Sequence, residues 1–385
     1  VGTREALFWP HIAIRLAWRN LVFDRIRFCV TLVGIAFSVF LMVFQGSLLA
    51  GFIRAASRVI DASDGEFWIA ARGVPCFECA TPVPSRFREI AMGTEGVASV
   101  QRVVAGAAVW KKASGKGQIV YIIGAEPGIG PEFPLPYLSD RSGPMQPERV
   151  LLDRSNAEML EVRGTGVEVE INRKRALVWG TVDDFGSFIG QPYTFTNYTD
   201  ALRYLGGRPS EAQFLVVHVT PGSNLEKIKR DLQTRLPDVN VHTRAQFSRS
   251  ARSYWTTLTG AGSAILTAAL LGFIVGTVIV SQTIYANTME NLEEFATLKS
   301  MGAGRFYIER VVLLQAWISG VIGSAAGIAV TLALVSVIRH SIPWVYMPSW
   351  LSTAMVAISL LMCTLASLIS VRKAVTVEPA RVFRA

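Results

Sequence analysis

Residues 28–53, FCVTLVGIAFSVFLMVFQGSLLAGFI, contain no charged side chain. A helix that crosses a bilayer needs roughly 20 mostly apolar residues, so this run is long enough to span one. Three more charge-free runs occupy 253–289, 311–338 and 340–371, and each exceeds the same length. The layout is one span, a long insert, then three spans. The expected fold is an α-helical membrane protein with four transmembrane helices and an α+β extracytoplasmic domain between helices 1 and 2. The expected divisions are a cytoplasmic segment at 1–27, spans at 28–53, 256–285, 309–338 and 349–371, the insert at 54–252, a cytoplasmic loop helix at 286–304 and a cytoplasmic tail at 372–385.

Composition agrees. The 385 residues are 51% hydrophobic and 17% charged, with mean hydropathy +0.36, whereas soluble domains carry about 25% charge. The net charge is +9, and its location matters more than its size. The insert, taken as 51–255, holds 25 Lys/Arg against 22 Asp/Glu, close to balance. Arg4, Arg15, Arg19, Arg25 and Arg27 precede the first run, and Arg372, Lys373, Arg381 and Arg384 follow the last. Only Arg339 separates the third and fourth runs. Lys and Arg near span ends stay in the cytoplasm, while long domains cross largely regardless of charge. Both termini are therefore expected in the cytoplasm of a multi-pass protein of the bacterial inner membrane, and the insert outside. Basic residues that hug membrane boundaries make no soluble basic face, which argues against nucleic acid. The first run starts late and is too long for a signal-peptide core of about 7–15 residues.

Catalytic motifs are not found. Ser114-Gly-Lys-Gly117 lacks the upstream glycine and the following hydroxyl of a phosphate-binding G-x-x-x-x-G-K-[ST] loop. There is no G-x-S-x-G elbow. His11, His218, His242 and His340 are scattered, outside any metal spacing, and read as surface or interface residues. Asp183-Asp184 before Phe185-Gly186 reads as a turn. No Asp, Glu, Lys or Arg lies deep in a span, and such charges mark most ion and proton pathways. Cys29 and Cys363 fall in spans. Cys76 and Cys79 form a pair at the start of the insert, where a local disulfide suits an oxidising compartment. A zinc site would need about four ligands, and a redox motif a βαβ setting at a helix start. A structural pair, oxidised or reduced, is the expectation.

Residues 11–27 read as a basic lead-in helix, an elbow at the inner interface with Trp18 and the arginines at headgroup level. In the insert, strand-like 66–70, helix-like 85–92 and strand-like 97–110 form one βαβ-like unit. Strand-like 213–219, helical 224–236 and strand-like 239–243 form a second, and Pro221-Gly-Ser-Asn224 supplies turn and N-cap chemistry before its helix. The middle, 119–194, with short runs at 167–171 and 176–182, is expected to be a separate β-rich subdomain.

Gly272 and Gly276 in the second span, and Gly323 and Gly327 in the third, are spaced four apart, which lets helix backbones approach in lipid. Packing within one subunit and packing between subunits fit equally. After the second span, Asn287 and Glu290 fit a capping box. Glu290, Glu293 and Glu294 suit the positive end of a helix dipole, Lys299 suits the negative end, and Gly302 and Gly304 can stop the helix. Met289, Leu292, Phe295, Ala296 and Leu298 supply its apolar face.

Residues 290–302 resemble the signature of the FtsX/MacB permease superfamily, E-x-A-T-L-K-x-x-G-A, with Glu294, Ala296, Thr297, Leu298, Lys299, Gly302 and Ala303 in the matching positions. The tail Arg372-Lys-Ala-Val-Thr-Val-Glu-Pro-Ala-Arg-Val-Phe-Arg384 is similar to the closing R-x-A-x-x-x-x-P-A-x-x-x-R of the same superfamily. Leu16-Ala-Trp-Arg-Asn-Leu21, Arg27, 32–37 and 40–45 resemble the DevC-type branch. The resemblance covers nearly the whole chain.

The resemblance implies the permease subunit of an ABC transporter, not itself an enzyme. No cofactor is expected in this chain; ATP and Mg would be bound by a partner ATPase subunit that docks on the loop helix through Glu290, Glu293, Glu294, Phe295, Leu298, Lys299 and Gly302. The partners implied are a second permease copy in a homodimer, an HlyD/DevB-like membrane-fusion adaptor, an outer-membrane duct and the lipid bilayer. Export or mechanotransmission to the insert would be the output. The alternative is an FtsX-like regulator of an extracytoplasmic cell-wall hydrolase, for which the insert is large.

Overall fold

The computed structural model describes residues 9–23, 25–131, 133, 146–208, 211–290, 305–339 and 341–376. In chain order it contains α1 (Trp9–Phe23), α2 (Arg25–Ala55), α3 (Arg58–Asp61), β1 (Phe67–Ala71), β2 (Val83–Pro84), α4 (Arg86–Met92), β3 (Val97–Lys111) and β4 (Gly117–Ala125). Then follow β5 (Arg149–Asp153), β6 (Val167–Ile171), β7 (Lys174–Val182), β8 (Tyr193–Asn197), α5 (Tyr198–Leu205), β9 (Glu211–Ala212), β10 (Phe214–Val219), α6 (Leu225–Arg235), β11 (Val239–Thr243) and α7 (Arg244–Ser253). The last helices are α8 (Ala261–Glu290), α9 (Arg305–Ile338) and α10 (Ser349–Thr376). The chain divides into two compact units: a helical unit, 1–50 with 264–337 and 347–385, and an α+β unit, 51–263 with 338–346.

In the helical unit, Phe28–Ala55, Ala261–Thr283, Glu309–Ile338 and Ser349–Leu368 are long and apolar enough to cross a membrane. Their mutual core includes Ile35, Val39, Met42, Val280, Ala316 and Met362. Lipid offers no hydrophobic drive between helices, so close packing and interhelical hydrogen bonds must hold them. Ser324 Oγ bonds Ser359 Oγ at 3.0 Å, and Trp317 Nε1 donates to Thr364 Oγ1 at 2.9 Å. Two expected boundaries move. The lead-in helix ends at Phe23 and α2 starts at Arg25, in place of one helix over 11–27. The second span, expected from 256, begins at Ala261, because Tyr254–Leu258 winds as a π-helical turn and Gly260, at φ +76°, interrupts the helix.

In the α+β unit, nine strands form one sheet ordered β11-β1-β10-β3-β4-β8-β5-β7-β6. The two βαβ-like units, β1-α4-β3 and β10-α6-β11, are interleaved: β10 pairs antiparallel with both β1 and β3, and β11 with β1. This is a split βαβ arrangement. Side chains alternate across a strand, and β1 shows it: Phe67 and Ile69 enter the core under α4 and α6, Trp68 and Ala70 the opposite core. There Trp68, fully buried, meets Phe77, Phe214 and Phe247 at ring centroids of 6.1, 5.6 and 5.6 Å. Such aromatic pairs add about 0.5–1.5 kcal/mol beyond their burial. Asn224 caps α6 by accepting from Glu226 N and Lys227 N, both at 3.1 Å.

The middle of the insert carries no sheet of its own. It grows from β3, which is 15 residues long and serves both lobes. Beyond it run β4, β8, β5, β7 and β6, and β6 returns to the end of β3 through Trp110↔Ile171 and Lys111↔Glu170. Six strands thus close into a small barrel, and closure leaves no open edge. Trp110, Val120, Ile122, Leu152 and Val178 fill this lobe with α5 against it. The sequence reading missed the return pairing because Trp110 and Ile171 are far apart in the chain.

Candidate functional site

Three passages of the chain meet within the α+β unit. One is the end of α2 with α3, where the first span's helix becomes insert. The second is α7 and the π-helical turn that leads toward α8. The third is the short connection 338–346 between α9 and α10, which packs with the insert.

The first two are strapped by polar bonds. Arg252 Nε on α7 donates to Ser57 Oγ at 2.8 Å, and its Nη2 to Asp61 Oδ2 at 2.8 Å. Arg244 Nη1 donates to the Ser63 carbonyl at 2.6 Å. Thr243 and Gln246 form a reciprocal capping box at the start of α7, with bonds of 3.2 and 3.0 Å. The sequence reading missed α7, although Thr243-x-x-Gln246 is the local signal that would have found it.

The third passage is held by aromatic and cationic contacts. The Phe52 ring meets Trp344 at 6.0 Å and Phe188 at 5.2 Å, and Phe188 meets Trp255 at 4.9 Å, all edge-on. The Arg54 guanidinium lies 4.1 Å over the Tyr346 ring and pairs with Asp184. Arg58 reaches the same carboxylate at 3.4 Å and lies 4.8 Å over Phe185. Asp184 sits at φ +73°, in the turn read from Asp183-Asp184. Two glycines allow the approach. A Cβ on Gly186 would lie 2.7 Å from Pro343, and one on Gly51 would lie 2.7 Å from Tyr346 N. Cation–π contacts contribute about 0.5–1 kcal/mol where exposed and about 2 where dry, so the clasp is strong in sum and modest in each part.

Beside it lies a partly buried carboxyl. Cys76 and Cys79 are joined in a disulfide, Cα to Cα 5.2 Å, around the short 3₁₀ turn that carries Glu78. Glu78 accepts from Tyr193 Oη at 2.8 Å and from Trp255 Nε1 at 3.1 Å. Burial pushes its carboxyl above the usual carboxylate range, and the hydrogen bonds only partly oppose that. Burial likewise raises the Tyr193 hydroxyl, with the Glu78 charge adding to it.

The sequence-expected residues are placed as follows. A Cβ on Gly323 would lie 2.7 Å from Ile35, and one on Gly327 3.0 Å from Val39 Cβ. Gly276 faces Ser38 at 3.4 Å and Gly272 faces Gln45 at 3.6 Å. All four glycines therefore lie against the first span of the same chain. The capping box read at Asn287 and Glu290 does not open a helix: α8 runs unbroken to Glu290, because no Gly or Pro intervenes to stop it. Local cap signals yield when a preceding helix can propagate through them. Glu293, Glu294, Phe295, Leu298, Lys299 and Gly302 lie outside the described residues, as does His340. His218 bridges Asp64 and Gln101 at 2.7 Å each, and His242 stacks on Phe247.

Known proteins share both parts. A description of the FtsX-like permease C-terminal region matches residues 266–379, and one of the MacB-like periplasmic core domain matches residues 28–235. The chain is 23% identical over 369 residues to the uncharacterized ABC transporter permease Mb2592 of Mycobacterium bovis, covering 95% of this chain and 96% of the relative. It is 22% identical to the uncharacterized ABC transporter permease MJ1507 of Methanocaldococcus jannaschii, over 53% of this chain and only 53% of that relative's length. Among solved structures it is similar to the periplasmic region of MacB from Actinobacillus actinomycetemcomitans, with 13% identity, TM-score 0.37, and 51% of this chain and 96% of that one covered. It is also similar to the extracellular domain of the noncanonic ABC-type transporter YknZ from Gram-positive bacteria, with 10% identity, TM-score 0.32, and 46% and 98% covered.

Proposed function

The chain belongs to the FtsX/MacB family of ABC transporter permeases, and from that premise we propose that it relays ATP-driven motion of its membrane helices to its α+β insert. A permease of this family works with an ATPase partner. The observation that carries the relay is the clasp: residues beyond the first span, before the second, and between the third and fourth all grip one patch of the insert. Movement of any of these helices would pull on the insert at a fixed point. The ATPase, holding ATP and Mg, would dock on residues 290–302, where Glu294→Arg or Leu298→Asp would uncouple hydrolysis from output. Two permease copies in the inner membrane, both termini cytoplasmic, would present two extracytoplasmic inserts to a membrane-fusion adaptor of a tripartite exporter resembling the DevC type.

The test is hydrogen exchange on the permease reconstituted with its ATPase in lipid nanodiscs. Exchange at residues 51–61 and 338–346 should change between nucleotide-free and ATP-trapped states. Gly186→Leu, which displaces Pro343, should abolish that change in the insert while ATP hydrolysis persists. An insert that ignores nucleotide in the native complex would end the relay reading. Co-purification with a peptidoglycan hydrolase in place of an adaptor would favour the regulator.

A further inference from the structure

The turn closed by the Cys76–Cys79 disulfide is tied to several other passages of the insert. Phe77, fully buried, stacks on Phe214 of β10 at 5.1 Å. The Pro75 carbonyl accepts from Ser250 Oγ of α7 at 2.9 Å. Glu78 accepts from Tyr193 Oη of β8 and from Trp255 Nε1 of the π-helical turn. The Trp255 bond matters most, because the Tyr254–Leu258 turn leads from α7 toward α8 and the second span.

Closure of its own loop holds Glu78 within reach of both donors. The disulfide joins the residues on either side of Phe77-Glu78. The backbone adds a bond across the same turn, Cys79 N to Cys76 O at 3.3 Å, but 3₁₀ turns have poor hydrogen-bond geometry. Phe77 is fixed by its burial, whereas residues 80–82 beyond the turn are irregular and reach solvent. Without the sulfur bridge, residues 78–79 are fixed on one side only and can swing outward, drawing the carboxyl away from Trp255. The two sulfurs are also unequal. Cys76 is fully buried and Cys79 only partly so, so an incoming thiolate reaches Cys79 first. A three-residue 3₁₀ turn follows Cys76 in place of an α-helix, and such a turn lacks the dipole that lowers the thiol pKa in disulfide-exchange catalysts. The pair suits accepting electrons, not passing them on.

We propose that the Cys76–Cys79 bridge is a redox-set fastener: oxidised, it ties the lead-in of the second span to the insert through Glu78 and Trp255; reduced, it lets that lead-in go. The reductant is a dithiol of the compartment that the insert faces. One of its thiolates attacks Cys79 Sγ, the S–S bond breaks, and Cys76 Sγ leaves with the bonding pair and takes a proton. The second thiol then attacks the mixed disulfide, Cys79 is released as a thiol, and the reagent closes its own disulfide. Two electrons pass to the protein, and an oxidised dithiol runs the same steps backward. The fastener goes beyond the relay: it sets the grip on the second span whatever the nucleotide state.

The experiment is hydrogen exchange of the full chain in nanodiscs without nucleotide, before and after dithiothreitol, with mass labelling of free thiols on the peptide that holds Cys76 and Cys79. Reduction should raise exchange at residues 254–260 about fivefold, the change that losing one hydrogen bond of ordinary strength gives, while residues 214–219 of β10 stay protected. The Cys76→Ser/Cys79→Ser variant should show the raised exchange from the start and no response to dithiothreitol. Trp255→Phe should likewise start high and fail to respond, because the tie is cut at its other end. The fastener is refuted if dithiothreitol leaves the pair oxidised in the folded protein, or if the pair is reduced and exchange at 254–260 does not change. It is also refuted if Trp255→Phe responds as the wild type does. The first two results come from the wild type, so they stand even where a variant does not insert, and neither depends on whether nucleotide moves the insert.

Discussion

Arg54 and Asp184, 130 residues apart in the chain, meet in one ion pair within the α+β unit, with the guanidinium over the Tyr346 ring. Both partners are more than a third exposed, so solvent screens the charge, and such pairs contribute about 0.2–1 kcal/mol. A double-mutant cycle of Arg54→Ala and Asp184→Ala should return a coupling in that range in chemical unfolding. A coupling above about 2 kcal/mol would mean that the pair is far drier than this geometry makes it.

Glu126 should give an acid-labile contribution. Burial raises its carboxyl, but hydrogen bonds and charge from Arg102 outweigh that and hold it below the usual range. The bonds are 2.9 Å to Arg102 N and 2.6 Å to Nη2. A depressed pKa stabilises the fold above the unfolded value and ceases to do so as pH falls through the folded one. Glu126→Gln should therefore cost about 1.5 kcal/mol near neutrality and progressively less below pH about 4. Thermal midpoints of both proteins across pH decide it; a penalty that stays constant into acid contradicts the assignment.

The disulfide closes a very short loop, only three residues apart in sequence. Chain-entropy arguments give it at most about 2 kcal/mol. The Cys76→Ser/Cys79→Ser double variant should lower the midpoint of the insert modestly and retain its fold by circular dichroism. Complete loss of folded protein would show that the bond does more than restrain the unfolded chain.

Gly323 should tolerate no large side chain, since even a Cβ would press on Ile35. Overpacking of this kind costs about 1–3 kcal/mol. Gly323→Leu should reduce monodisperse protein after detergent extraction, whereas Gly272→Ala, with 3.6 Å of clearance to Gln45, should extract normally. Equal behaviour of the two variants would count against the packing of the first and third spans described above.

The four spans were legible because an uninterrupted apolar run needs no partner to be recognised. So was α6, whose cap at Asn224 and buried Ile228 and Leu232 are written locally. α7 was harder: its only buried residues are Phe247, Ser248 and Ala251 in an otherwise polar stretch, and the cap at Thr243 was the sole strong cue. The clasp was not legible at all. Trp344 and Tyr346 lie in a short connection between spans, and nothing local announces that their partners are Phe52 and Arg54. Glu78 shows the same limit: a glutamate between two cysteines looks solvated until Tyr193 and Trp255 close over it.

β3 has 15 residues, a length of about 50 Å at strand rise. One strand runs through both lobes, so bending them against each other would break its pairings with β10 and β4. A tilt of about ten degrees at one end would sweep the other through roughly 9 Å. Under the relay proposed above, a small angular input at one lobe would become a large stroke at the other, and a proline placed mid-strand at Ala105 would turn that lever into a joint.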